Sequence, residues 1–264
     1  MPSIAKEQVL LRSDENAIAT LTLNRGDKFN ALSLELISAV QVELDAISKD
    51  KSVRVVVIAA AGKAFCAGHD LAEMRSNPGP EPMTELFQKC SHMMVTLTKI
   101  PQPVVARVHG TATAAGCQLV AQCDLAVAVE SATFATSGIN VGLFCSTPMV
   151  AVTRNLPRKQ AMEMLMTGEF IDAETARQYG LVNRVVPVDQ LDEAISELAR
   201  VIAGKSPIAI TRGKELFYNQ VEGDLKSAYE QAGKVIMTNM QDADARAGID
   251  AFIEKKAMPE WQER

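Results

Sequence analysis

β-Branched and leucine residues fill Gln8–Arg12 and Ala17–Leu23, and the SDEN between them carries the Asp and Asn that favour turns, so this region predicts a hairpin. Ser33 then precedes an apolar stripe at Leu34, Ile37, Val40, Leu44 and Ile47. That period predicts a serine-capped helix ending near Ser48. Val53–Ala60 is an almost unbroken apolar run, as expected of a parallel strand covered on both faces. SNPGPEP at 76–82 reads as a loop, followed by a helix from about Thr84 to Leu97. PQPVVARVHG supplies another buried strand, stiffened by Pro101 and Pro103. A helix over Thr113–Gln122 and a strand over Asp124–Val129 complete a third round. Repeated β-to-α units with small residues at the joints predict a parallel, right-handed α/β arrangement.

Beyond Pro187 the strand pattern stops, and four helices are predicted: Val188–Ala203, Pro207–Gln220, Asp224–Asn239 and Asp242–Lys256. Pro207 suits a first helical turn and Gly204 the preceding terminus, which divides a core over 1–204 from a helical region over 205–264. A chain of 264 residues, 47% hydrophobic, can build one large core with such an appendage. With 27 Lys and Arg against 32 Asp and Glu, the net charge of -5 argues against a broad nucleic-acid surface. The five cysteines are odd in number and scattered through apolar runs, which suits small core residues in a reducing compartment. The three histidines lack zinc-ligand spacing, so no metal is expected. No apolar run has the length of a membrane span, and MPSIAKEQVLL carries no targeting pattern, so a cytoplasmic location is expected.

Two stretches carry candidate chemistry: GKAFCAGHDL at 62–71 and HGTATAAGCQL at 109–119. Each joins an apolar strand to a small-residue turn that opens a helix, where backbone N–H groups point outward without an intrahelical acceptor. Two such ends facing one another would grip a developing oxyanion. Ala114, Ala115 and Gly116 let a ligand approach the backbone closely. No carboxylate accompanies this grip, and without one it polarises a carbonyl but moves no proton.

Taken with Asn24 and Arg25 before KFNAL, with AAGCQLVAQCDLAVA, with AMEMLMTGEFIDAETARQYGLVNRVVP and with GIDAFIEKKAMPEW, these stretches resemble the crotonase family of enoyl-CoA hydratases and isomerases along nearly the whole chain. VGLFCSTPMVAVTRNLPRK is most similar to its subgroup of type 3 enoyl-CoA hydratase domain-containing proteins. The resemblance implies an α/β crotonase-like spiral of ββα repeats with a C-terminal helical trimerisation region, hence a homotrimer or hexamer. It implies a lyase or isomerase of fatty acid metabolism acting on an acyl-CoA thioester, with no cofactor beyond the coenzyme A of the substrate. Carried over by position, the oxyanion donors are the main-chain N–H groups of His69 and Ala115, with Gly116 beside them. The adenine and pantetheine contacts fall on Arg25, Lys28, Lys63, Ala67 and Asp70. Phe252 and Lys255 fall on the phosphate side or in a neighbouring subunit's site.

In the same pattern the two hydratase glutamates are replaced by Gln118 and Gly138. An amide orients water but does not titrate near neutrality, and glycine offers nothing. Each lost acid or base costs about 10²- to 10⁴-fold in rate, so hydration is expected to be weak or absent. Cys145, ahead of a helix start at Ser146, is a candidate acid, base or nucleophile; the plainer reading is a buried small side chain. The His69 ring is a candidate partner for a substrate carboxylate, and the plainer reading is a hydrogen-bonded ring near the cleft. The GHD turn with TSGINVG at 136–142 also resembles the methylmalonyl-CoA decarboxylase branch, although Cys145 stands where that branch has tyrosine. Three functions stay open: hydratase or isomerase, decarboxylase, and a non-catalytic thioester binder. His92 is expected to face solvent, His109 to bond to nearby backbone, Asp124 to serve packing, and the methionines of AMEMLMTG to fill core.

Overall fold

A computed structural model describes residues 8–261. The expected absence of a targeting pattern rests largely on residues 1–7, which lie outside the described residues. Strands β1 (Leu10–Glu15) and β2 (Ile18–Leu23) form the expected hairpin, but the ladder runs on to Glu15 opposite Ile18. The turn is therefore the two residues Asn16 and Ala17, both with left-handed φ (51° and 64°), rather than SDEN. Paired left-handed residues give a turn whose twist matches the strands, which lets pairing continue to its edge.

Helix α1 (Leu34–Ile47) starts where Ser33 Oγ accepts the N–H of Leu36 at 3.2 Å. Strand β3 (Val55–Ala60) is buried at all six positions, as its unbroken apolar run predicts. A short α2 (Leu71–Ser76) leads to α3 (Pro80–Lys99), which begins four residues before the expected Thr84. Pro80 opens that helix because a first-turn residue has no use for an N–H. Then follow β4 (Val104–Val108), β5 (Ala112–Thr113), α4 (Ala115–Gln122) and β6 (Leu125–Val129).

For residues 130–187 the pattern predicts only the helix start at Ser146. The chain there forms β7 (Thr133–Ala135), α5 (Ser146–Asn155), α6 (Arg158–Thr167), β8 (Ile171–Asp172), α7 (Ala173–Tyr179) and β9 (Arg184–Val186). The main sheet has the order β1-β2-β3-β4-β6-β9 and is parallel except for the β1–β2 pair. A small sheet, β5-β7-β8, lies apart from it. Of the three AMEMLMTG methionines only Met164 is core; Met162 and Met166 are exposed, because a single face of α6 meets the interior.

The C-terminal helices are α8 (Leu191–Ala203), α9 (Pro207–Gln220), α10 (Leu225–Asn239) and α11 (Ala243–Ile253), close to the expected ranges. Polar clamps seat them. Lys214 Nζ of α9 donates to the carbonyls of Leu97 (2.8 Å) and Gln102 (2.9 Å) and to Asp124 Oδ2 (2.7 Å), while Tyr218 Oη donates to Asp124 Oδ1 (2.7 Å). Asp124 is thus the packing carboxylate expected. Arg212 pairs with Asp242 through two 2.9 Å bonds, and the buried Ser206 Oγ donates to Asp244 Oδ2 at 2.7 Å. Neither α9 nor α10 buries a residue, and Phe217, Leu225, Tyr229, Ile236, Met237 and Phe252 stand exposed. All five cysteines are free and buried. Among the described residues no helix is long and apolar enough to cross a membrane, and no three metal-ligating side chains cluster.

Candidate active site

The first turn follows β3 and the second follows β4, at the same end of the parallel sheet. Residue 69 is set by a single parallel bridge to Leu32: Leu32 N–H donates to Gly68 O (2.7 Å), and Asp70 N–H donates to Leu32 O (3.1 Å). In such a bridge the central residue's own N–H and C=O face the other way, so the His69 amide points away from Leu32. Ala115 is the first residue of α4, where the helix leaves its N–H without an acceptor. Neither the His69 nor the Ala115 N–H has an acceptor among the described residues.

The two turns are in contact. An ideal Cβ on Gly68 would lie 2.8 Å from Ala114 Cβ and 3.2 Å from Ala115 N, and its φ of 92° excludes other residues in any case. One on Gly116 would lie 2.1 Å from the Cys66 carbonyl oxygen. Ala114, with φ 50° and ψ -119°, occupies backbone space that only glycine enters freely, at a cost of about 1–3 kcal/mol.

The His69 ring packs edge-on against Phe87 of α3, centroids 5.1 Å apart, and its Nε2 is buried without a partner. Burial pushes its pKa down to about 4, so the imidazole is neutral at physiological pH. The expected hydrogen bond to this ring is absent among the described residues; an aromatic contact holds it instead. Gln118, one turn into α4 from Ala115, is buried, and its Oε1 also lacks a partner. Gly138 has no room for a larger side chain, since an ideal Cβ would lie 2.6 Å from Leu143 O and 2.9 Å from Cys145 Sγ. Sulfur and backbone occupy the space a side chain there would need.

Cys145 directly precedes α5, as expected, yet its thiol pKa is raised: burial outweighs the hydrogen bond that Gly138 N–H donates to the sulfur. The thiol is protonated, which agrees with the plainer reading of a buried small side chain. Thr113 Oγ1 and Ser137 Oγ lie 2.6 Å apart and tie β5 to the segment carrying Gly138.

Of the expected coenzyme A contacts, Arg25 and Asp70 bind each other at 2.9 Å. Arg25 also donates to Ala31 O (2.5 Å), and Asp70 caps α2 by accepting from Ala72 and Glu73 N–H (both 3.1 Å). Burial works to raise the Asp70 pKa, but these donors outweigh it and hold the carboxyl below its ordinary value. Lys28 and Lys63 are exposed beside the first turn, and Ala67 N–H is engaged by Phe29 O (3.0 Å). Phe252 is 75% exposed on α11 and Lys255 is exposed just beyond it; among the described residues no hydrogen bond or ring contact joins either to the turns. His92 is exposed, and His109 Nε2 lies 3.0 Å from Gly62 O, both as expected.

The sequence pattern does not show that Phe87 meets His69 or that Thr113 meets Ser137, because contacts between distant segments leave no local period. The arrangement offers two main-chain donors beside uncharged side chains.

Residues 13–264 match the family model described as enoyl-CoA hydratase/isomerase. The chain belongs to that family. It is 43% identical to the rat mitochondrial enoyl-CoA hydratase domain-containing protein 3 over 94% of this chain and 82% of the relative. Among solved structures, an enoyl-CoA hydratase of Mycobacterium smegmatis matches with a TM-score of 0.95 and 52% identity, covering 96% of this chain and 99% of that one. The human enoyl-CoA hydratase domain-containing protein 3 matches with a TM-score of 0.93 and 41% identity, covering 95% and 99%. The fold is the crotonase fold at both ends of the chain, C-terminal helices included.

Proposed function

We propose that this family member binds an acyl-CoA thioester with the carbonyl oxygen between the N–H groups of His69 and Ala115, and polarises it toward an enolate. The observation that supports this best is the contact between the turns, which puts Gly68 against Ala115 N while both donors stay unengaged. A lost donor of this kind costs about 2.7–4 kcal/mol of transition-state stabilisation. Coenzyme A enters as part of the substrate, with Lys28 and Lys63 as mobile charges and the Arg25–Asp70 pair shaping the turn.

On this reading classical hydration is weak or absent. Gln118 orients water without titrating, and no carboxylate fits at Gly138. A second reading, decarboxylation of a malonyl-type thioester, is favoured by the neutral His69 ring and protonated Cys145 thiol, since loss of carbon dioxide needs enolate stabilisation more than a base. Without either activity the chain is a thioester binder. The exposed apolar side chains of α9–α11 support a homotrimer or hexamer. Five free thiols suit the expected cytoplasm and also a mitochondrial compartment, which the type 3 relatives carry in their names.

The test is calorimetric titration with butyryl-CoA, together with the absorbance of crotonyl-CoA and carbon dioxide release from malonyl-CoA. Saturable binding with crotonyl-CoA turnover about 10²-fold or more below that of a two-glutamate relative is expected. Absence of binding, or an acyl group lodged away from His69 and Ala115 in a crystal complex, sinks the proposal.

A further inference from the structure

An oxyanion donor works only if held within a few tenths of an ångström, so what fixes the His69 turn matters as much as the donor. The turn has no regular secondary structure of its own from Ala61 to Asp70. Its downstream half hangs on the Leu32 bridge and on Phe29 O, which accepts Ala67 N–H. Its upstream half is held by Ala61 N–H on Leu23 O (2.9 Å), by Phe65 N–H on Thr111 O (3.0 Å), by the His109 ring at Gly62 O (3.0 Å), and by one buried side chain that binds two of its carbonyls. Asn30 is fully buried, and its Nδ2 donates to Ala61 O (2.7 Å) and Ala64 O (2.8 Å), while Oδ1 accepts Arg25 N–H (2.9 Å).

Both Asn30 amide protons are used on the turn, and the carbonyl end is used on the loop that carries Leu32. Its orientation is therefore fixed, because exchanging oxygen and nitrogen would set an oxygen against two carbonyls. Its φ of 53° lies in the left-handed region, which asparagine tolerates better than most residues. No other amino acid combines that backbone with one acceptor and two donors at this reach. Aspartate would face two carbonyl oxygens, and serine is too short to span both.

We propose that Asn30 is a positioning residue for the oxyanion site: it touches no reacting atom, and through Ala61 and Ala64 it sets where the His69 N–H points. This rests on the carbonyl-polarising role argued above. The consequence is specific, since loss of the Asn30 bonds weakens polarisation of a bound thioester even when every ligand-contacting residue is intact.

The readout is the carbonyl stretch of ¹³C=O butyryl-CoA bound at saturation, which reports polarisation independently of affinity. The parent protein is expected to lower the stretch relative to free butyryl-CoA. Asn30→Gly, which keeps the backbone conformation and removes the bonds, is expected to lose roughly half of that shift or more. Asn30→Ser, which retains one hydroxyl donor, serves if the glycine variant does not fold. Lys214→Met, destabilised at a distance from the turn, is expected to keep the parent band and so separates positioning from general loss of stability. A folded Asn30 variant with the parent's full shift overturns the proposal. A parent protein that shows no shift instead overturns the carbonyl-polarising reading itself.

Discussion

The turn pair and the C-terminal helices solve opposite problems. Around His69 and Ala115 the chain leaves no slack: backbone meets backbone at Gly68 and Gly116, and Asn30 and Leu32 engage the turn from behind. Helices α9–α11 are seated by a few polar clamps, and leave Leu225, Tyr229 and Phe252 more than 70% exposed. Close contact in one region holds two unengaged amides in place; the other region leaves open apolar surface. The two regions therefore should respond differently to substitution, the first through backbone displacement and the second through loss of a clamp.

The largest effect is expected from Gly116→Ala. The new methyl would lie 2.1 Å from the Cys66 carbonyl oxygen, a rigid partner, so α4 or the first turn must move. Destabilisation above about 4 kcal/mol is expected, with no soluble folded protein at 37 °C. A folded variant with intact butyryl-CoA binding would show that the turns are less tightly apposed than described.

Lys214→Met comes next and probes the other region. It removes three hydrogen bonds at once and leaves Asp124 largely buried with only Tyr218 and a Val104 N–H bond. Breaking one partner of such a pair costs about 3–5 kcal/mol. Denaturant unfolding should show this loss, while the thioester band of any folded fraction stays in place. An equal loss of polarisation would mean that the two regions are not separable.

Much of the fold was legible because its signals are local. Ser33 announces α1, the six apolar residues of β3 announce a buried parallel strand, and Pro207 marks the first turn of α9. Residues 130–187 were opaque for the opposite reason: β7 and β8 are three and two residues long and owe their pairing to neighbours distant in sequence. The two unengaged amides of His69 and Ala115 stand at the small-residue strand-to-helix joints that the sequence singles out. The Phe87–His69 contact and the Asn30 bonds to Ala61 and Ala64 were not legible, since they join residues remote in sequence. The Arg25–Asp70 ion pair was not legible either, since it joins two residues 45 apart in sequence.

An intermediate effect is expected on acidification. Unfolded, the His69 imidazole binds its proton below about pH 6.5; folded, it does so only near pH 4. Between these values the unfolded state holds more protons, so stability is full above pH 6.5 and falls as pH drops toward 4. The gap corresponds to about 3 kcal/mol. His109, whose pKa burial also lowers, and Asp70 act in the same direction, so the contribution of His69 is the difference from His69→Gln. Urea unfolding of both proteins at pH 7 and pH 4.5 measures it. Parallel losses in parent and variant would show that the ring is not held neutral by burial.

The smallest effect tests the strain beside the donor. Ala114 sits where the first central residue of a type II′ turn would, a conformation glycine adopts freely. Ala114→Gly relieves about 1–2 kcal/mol of backbone strain and gives back about 0.4–1 kcal/mol through a freer unfolded chain. A net gain of up to about 1 kcal/mol is expected, read as a rise of about 2–4 °C in Tm. The same change removes the methyl that abuts Gly68, so the close apposition of the two turns loses one contact. If stability rises while the bound-thioester carbonyl shift weakens, Ala114 trades backbone strain for donor placement; if stability falls, its methyl packing outweighs the strain.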